Sequence, residues 1–151
     1  MNEVARGFWS RMEAAEQKLS LLSEEDSRTS VRPGGWSRKQ ILGHLVDSAC
    51  INHVRIAFAA TQGHFEGPVY DQDKWVALNA YATVPWSAIL DQWRARYTWM
   101  AEMVTNLPSS CLGATVTLGD HAPVSLEAWI LDCLDHLEHH VQQITTNSPE
   151  S

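Results

Sequence analysis

At 151 residues, with 44% hydrophobic and 19% charged side chains, the chain reads as a single domain over residues 1–151 that needs no disulfides to hold its core. Three cysteines without close spacing exclude a disulfide framework and a zinc knuckle, and they fit a reducing, cytoplasmic setting. A net charge of −7 with scattered Lys and Arg argues against nucleic acid as a partner, the apolar runs are too short for a membrane span, and the first residues lack a secretory core.

The first predicted helix runs from Glu3 to Leu22, with Phe8, Met12, Ala15, Leu19 and Leu22 at helical spacing. Pro33-Gly34-Gly35 then breaks the chain. Ser37 is an N-cap and Gln40 completes a capping box for a second helix that reaches about Ala60. Ile41, Leu42, Leu45, Ala49 and Ile56 share one face of it. Residues 61–83 are irregular, with a short helical piece over Asp71–Tyr81. Pro85 suits the first turn of a third helix ending near Leu107, and Pro108 stops it. Residues 114–118 and 122–124 form either a small hairpin or a loop. Ser125 caps a fourth helix, Leu126 to Thr145, and a polar tail follows. Four long amphipathic helices with one long connection, between the second and third, predict an all-α four-helix bundle.

The histidines carry the chemistry. On the fourth helix, Leu126, Ile130, Cys133, Leu137, Val141 and Ile144 make the apolar stripe. His140 falls inside its edge, His136 on its flank, and His139 on the polar side with Asp132, Asp135 and Gln142. On the second helix His44 flanks the stripe, and Ser48, Asn52 and Arg55 continue as a polar strip. Two histidines four apart plus one from a facing helix make a three-histidine site for one divalent metal ion, with positions open to water or substrate. The same spacing also suits two partly buried, hydrogen-bonded histidines, with His44 unrelated to them. No His-Glu-x-x-His is present, and Glu138 lies on another face as a surface acid.

Other residues carry paired readings. Arg55 and Ser48 are candidate substrate contacts: Arg55 holds a carboxylate or makes a salt bridge, and Ser48 orients a ligand or bonds between helices. Asn52 is assigned to helix–helix hydrogen bonding, Asp47 to the surface, and Cys133 to the core rather than to the metal. His53, His64 and His121 lack a partner at ligand spacing and are read as solvent-facing or capping. Trp93, Trp99 and Trp129 are read as core rather than substrate platform, and Trp75 and Trp86, next to irregular segments, are weak candidates for lining a pocket mouth. Residues 61–83 and 109–125 are expected to shape a pocket mouth.

The run Trp36-Ser37-x-x-Gln40-Ile41-Leu42-Gly43-His44-Leu45-Val46-Asp47-Ser48, followed by Asn52-His53-x-Arg55-Ile56, resembles the second-helix signature of the DinB-like (YfiT-like) superfamily. The run His136-Leu137-Glu138-His139-His140-Val141-Gln142-Gln143-Ile144 resembles its last-helix signature. The resemblance implies a four-helix bundle, often a homodimer, with a nickel, zinc or other divalent ion on the positions of His44, His136 and His140. Relatives include bacillithiol- or mycothiol-using thiol S-transferases and a mycothiol-dependent isomerase. The expected function is therefore a metal-dependent thiol S-transferase or hydrolase acting on a small molecule, through a metal-bound thiol or water. The cosubstrate in the first case is a low-molecular-weight thiol. The alternative is a non-enzymatic, stress-related dimeric bundle that binds metal or a small ligand.

Overall fold

The computed structural model describes residues 2–146, so the polar tail at 147–151 lies outside the described residues. The helices are α1 (Glu3–Leu19), α2 (Glu24–Ser27), α3 (Arg38–Gln62), α4 (Gln72–Leu78), α5 (Trp86–Thr105) and α6 (Leu126–Thr145). The strands are β1 (His64–Gly67), β2 (Thr115–Leu118) and β3 (Val124–Ser125). The long helices α1, α3, α5 and α6 form the bundle, and both α1 and α3 pack against α5 and α6. Phe8, Leu42, Leu45, Trp93, Leu134 and Leu137 are fully buried between them. Among the described residues no helix is long and apolar enough to cross a membrane.

The helix ends follow local chemistry. Both halves of the Ser37–Gln40 capping box form at the start of α3. That helix runs two residues past Ala60 and stops at Gly63, whose φ of 84° is left-handed and whose N–H returns to the Ala59 carbonyl. The first helix ends at Leu19 rather than Leu22, because Ser23 opens a new capping box for α2 with Asp26. Pro85 is the N-cap of α5 rather than part of its first turn. The free N–H of Trp86 there is taken by the Glu24 carboxylate at 2.6 Å, which also pairs with buried Lys39 at 2.7 Å.

The hairpin between residues 114 and 125 forms, with β2 antiparallel to β3. The sequence did not suggest β1, which pairs in parallel with β2 from His64↔Thr115 to Gly67↔Leu118. Four residues with exposed and half-buried positions carry no long alternation, and their partner lies far along the chain.

Two further expectations are corrected. Asp47 is buried, not on the surface, because the connection between α3 and α5 folds back over α3. Asn79 Nδ2 and Tyr81 Oη donate to its Oδ1 at 2.8 and 2.7 Å. Gly43 permits that cover, since a Cβ there would fall 2.2 Å from the Tyr81 ring. Trp99 is not core: it is 68% exposed, on the outer face of α5.

Candidate metal centre

Helix α3 brings His44, and α6 brings His136 and His140, to one point inside the bundle. The one-turn spacing on α6 aims two imidazoles together, as the helical period requires. Across the helix interface, His44 Nε2 and His136 Nε2 stand 3.0 Å apart. One ring nitrogen from each of the three histidines lies within 4.8 Å of the others. Arg38 sets the register of these two helices, donating from the start of α3 to the Ile144 and Thr146 carbonyls at 2.9 Å. A buried cation at the C-terminal end of α6 also complements its dipole.

His44 is fully buried, with the Trp36 ring tilted against it at 5.2 Å. Burial, reinforced by His136 and His140, pushes its pKa down to about 3. Burial, then His140 and His139, push His136 down to about 4. Burial also lowers His140, although its bond to Gln143 works the other way. All three imidazoles are therefore neutral near pH 7 and have lone pairs to offer. Gln143, one turn on from His140, accepts from its Nδ1–H at 2.8 Å, which leaves Nε2 as the free lone pair.

The facing nitrogens of His44 and His136 can be satisfied by one proton and one lone pair, or by a cation and both lone pairs. Nitrogens sharing one tetrahedral ion at about 2.0–2.1 Å stand about 3.3 Å apart, close to the 3.0 Å of this pair, and His140 offers a third nitrogen within 4.8 Å of both. His44 Nδ1 is buried without a hydrogen-bond partner among the described residues. Its orientation therefore rests on packing.

A cavity of about 280 Å³ adjoins the triad, lined by His136, Cys133, Ser48, Asn52, Arg55, Tyr70 and Trp129. Val69, Tyr70 and Gln72 from the first expected loop and Leu118 from the second contribute to its wall. Asn52 is bonded within its own helix, donating to Ser48 Oγ and accepting from Arg55, so both it and Ser48 face the cavity rather than bridging helices. Trp129, expected in the core, is half-buried against it and lines the cavity. Burial pushes the Cys133 thiol up to about 12, so it stays protonated. A second cavity of about 400 Å³ is lined by His140, Gln143, Trp36 and the Gly34-Gly35 linker. Neither Trp75 nor Trp86 lines these cavities, and Trp86 is buried.

Of the other histidines, exposed His139 packs its ring 5.0 Å from that of His140 without joining the converging three, His64 and His121 are exposed, and His53 is half-buried. Glu138 is a surface acid paired with Arg11. Sequence reasoning gave Gln143, Tyr70 and Trp36 no role at the site. For Gln143 the signal was available, three residues after His140, while Tyr70 reaches the cavity only through the fold.

The model of the DinB superfamily matches residues 7–144, nearly all of the described bundle. The chain belongs to that superfamily. It is 28% identical over 128 residues to the "Putative metal-dependent hydrolase OB0782" of Oceanobacillus iheyensis, covering 83% of this chain and 72% of that protein. A similarly named protein of Bacillus licheniformis is 27% identical over 129 residues, covering 82% and 70%. Among solved structures, YfiT from Bacillus subtilis, described as "a probable metal-dependent hydrolase with an unusual four-helix bundle topology", superposes with a TM-score of 0.81 at 20% identity. That match covers 96% of this chain and 86% of YfiT. A mycothiol-dependent maleylpyruvate isomerase gives 0.80 at 12% identity, covering 97% of this chain and 61% of the isomerase. These structural likenesses establish the shared DinB-like bundle.

Proposed function

We propose that this DinB-like chain is a metal-dependent enzyme that holds one divalent ion through His44, His136 and His140. It acts as a hydrolase or a thiol S-transferase on a small molecule bound beside His136. The observation that carries this reading is the convergence of three neutral imidazoles at the edge of an open cavity. A structural ion is more often closed off by a fourth protein ligand. Relatives named as metal-dependent hydrolases support the same reading.

When bound, the ion supplies Lewis acidity to an electrophile or a nucleophile brought to it. The protein groups do the rest. Gln143 holds His140 in the tautomer that presents Nε2, and α3 and α6 hold the three rings at fixed separation. The cavity walls of Tyr70 and Trp129 exclude water from the bound molecule. The second cavity, on His140, suits a reaction between two small molecules and favours the transferase form.

Elemental analysis of untagged wild type and of the His44→Ala and His140→Ala variants tests the metal reading. About one equivalent in wild type, lost from both variants, is expected for a three-histidine site. Thiol cosubstrates would then be screened against electrophiles, with and without the ion. Wild type that stays metal-free after incubation with zinc and nickel sinks the reading.

A further inference from the structure

The cavity beside His136 contains a buried cation with no counter-charge among the described residues. Arg55 is only 4% exposed, yet no carboxylate among the described residues comes within 4.0 Å of it. Asp132, which also borders the cavity, is exposed and makes no ion pair with it. Two of the five guanidinium N–H groups are engaged, Nη1 on Asn52 Oδ1 and Nη2 on the Pro68 carbonyl, both at 3.2 Å. Those neutral partners fix the fork while leaving its charge uncompensated. The rings of Tyr70 and Trp129 lie 5.8 and 5.7 Å from the guanidinium carbon. Trp129 Nε1 is a second buried donor without a partner among the described residues.

A guanidinium buried at this depth without an anion is costly, and burial here already depresses its pKa. A salt bridge within the protein would have removed the cost, but the described residues provide none. Two planar rings near a planar fork, in a cavity of about 280 Å³, match a flat and small acid.

We propose that Arg55 is the binding residue for the carboxylate of a small-molecule substrate, placing the remainder of that molecule along Tyr70 and Trp129 toward His136. The assignment rests on the reading of this cavity as the substrate site. It narrows the substrate class to small carboxylic acids with a flat or apolar body.

The test is an NMR titration of the full chain, chelator-treated and zinc-loaded, with benzoate, benzamide and inorganic phosphate as probes. Benzoate is expected to shift the Arg55 Nε–H and Trp129 Nε1–H resonances saturably in both forms. Benzamide and phosphate should bind at least ten-fold more weakly. Arg55→Lys, which keeps the charge and loses the fork, should weaken benzoate at least five-fold, and Arg55→Gln should abolish the response. If the variants fail to fold, the wild-type resonances still decide. Benzoate that leaves Arg55 unshifted, responds only through bound zinc, or binds no better than benzamide or phosphate overturns the assignment. The chelator-treated arm keeps this outcome separate from the metal reading, which the metal content of the untreated protein tests alone.

Discussion

The Nε2 atoms of His44 and His136 face each other at 3.0 Å, although 92 residues separate them in the chain. Any ion that takes both lone pairs binds the folded chain and not the unfolded one, so it must stabilise the fold. At about one hundred times its Kd, zinc or nickel should add about 2.7 kcal/mol. For a domain of this size that raises Tm by roughly 5–10 °C. Thermal melts followed by circular dichroism measure it. An equal rise in His44→Ala would place the ion elsewhere.

Acid should weaken the metal-free protein. The folded-state pKa values of His44 and His136, about 3 and about 4, lie below the ordinary histidine value. The unfolded chain therefore takes up protons first. Stability is complete above about pH 6.5 and is lost as pH falls toward the folded values, by up to about 1.4 kcal/mol per pH unit for each histidine. Urea unfolding of chelated protein near pH 7.5, 6 and 5 should trace this loss, and His44→Phe should flatten it. A profile flat from pH 7.5 to 5 contradicts the burial of neutral rings.

Asp47 carries the opposite sign. Burial raises its carboxyl pKa although bonds from Tyr81 and Asn79 lower it, so its charge costs stability as pH rises through its titration. Both bonds end on Oδ1, which an asparagine also provides. Asp47→Asn should match or exceed wild-type stability at neutral pH. Asp47→Ala strands the Tyr81 and Asn79 donors and should cost about 1–3 kcal/mol. Chemical denaturation of both variants distinguishes the two. An Asp47→Asn protein as weak as Asp47→Ala would mean that the charge itself is required.

Gln143 is a positioning residue whose role should appear in affinity rather than in folding. Its Oε1 accepts from His140 Nδ1–H at 2.8 Å. Gln143→Leu should weaken zinc binding about 10–100-fold, while Gln143→Glu, which keeps an acceptor, should restore most of it. Competition with a chelating dye gives the affinities, and the metal-free melting temperature should change little. Unchanged affinity in Gln143→Leu removes Gln143 from the site.

Local rules carried much of this protein in the sequence. The period of 3.6 residues placed His136 and His140 together, the apolar stripes set which faces turn inward, and Ser37 with Gln40 marked where α3 begins. Each of these depends on residues within a turn or two, so the pattern alone sufficed. The close pairing of His44 with His136, the burial of Asp47 under Tyr81, the parallel pairing of β1 with β2, and the two rings around Arg55 depend on segments far apart in sequence. Trp99 shows the same divide: an indole usually marks a core, but only packing decides which face of α5 meets its neighbours. Propensity and periodicity act over a few residues and place ligands on a face, whereas the contacts that complete the cavity around them come from tertiary packing.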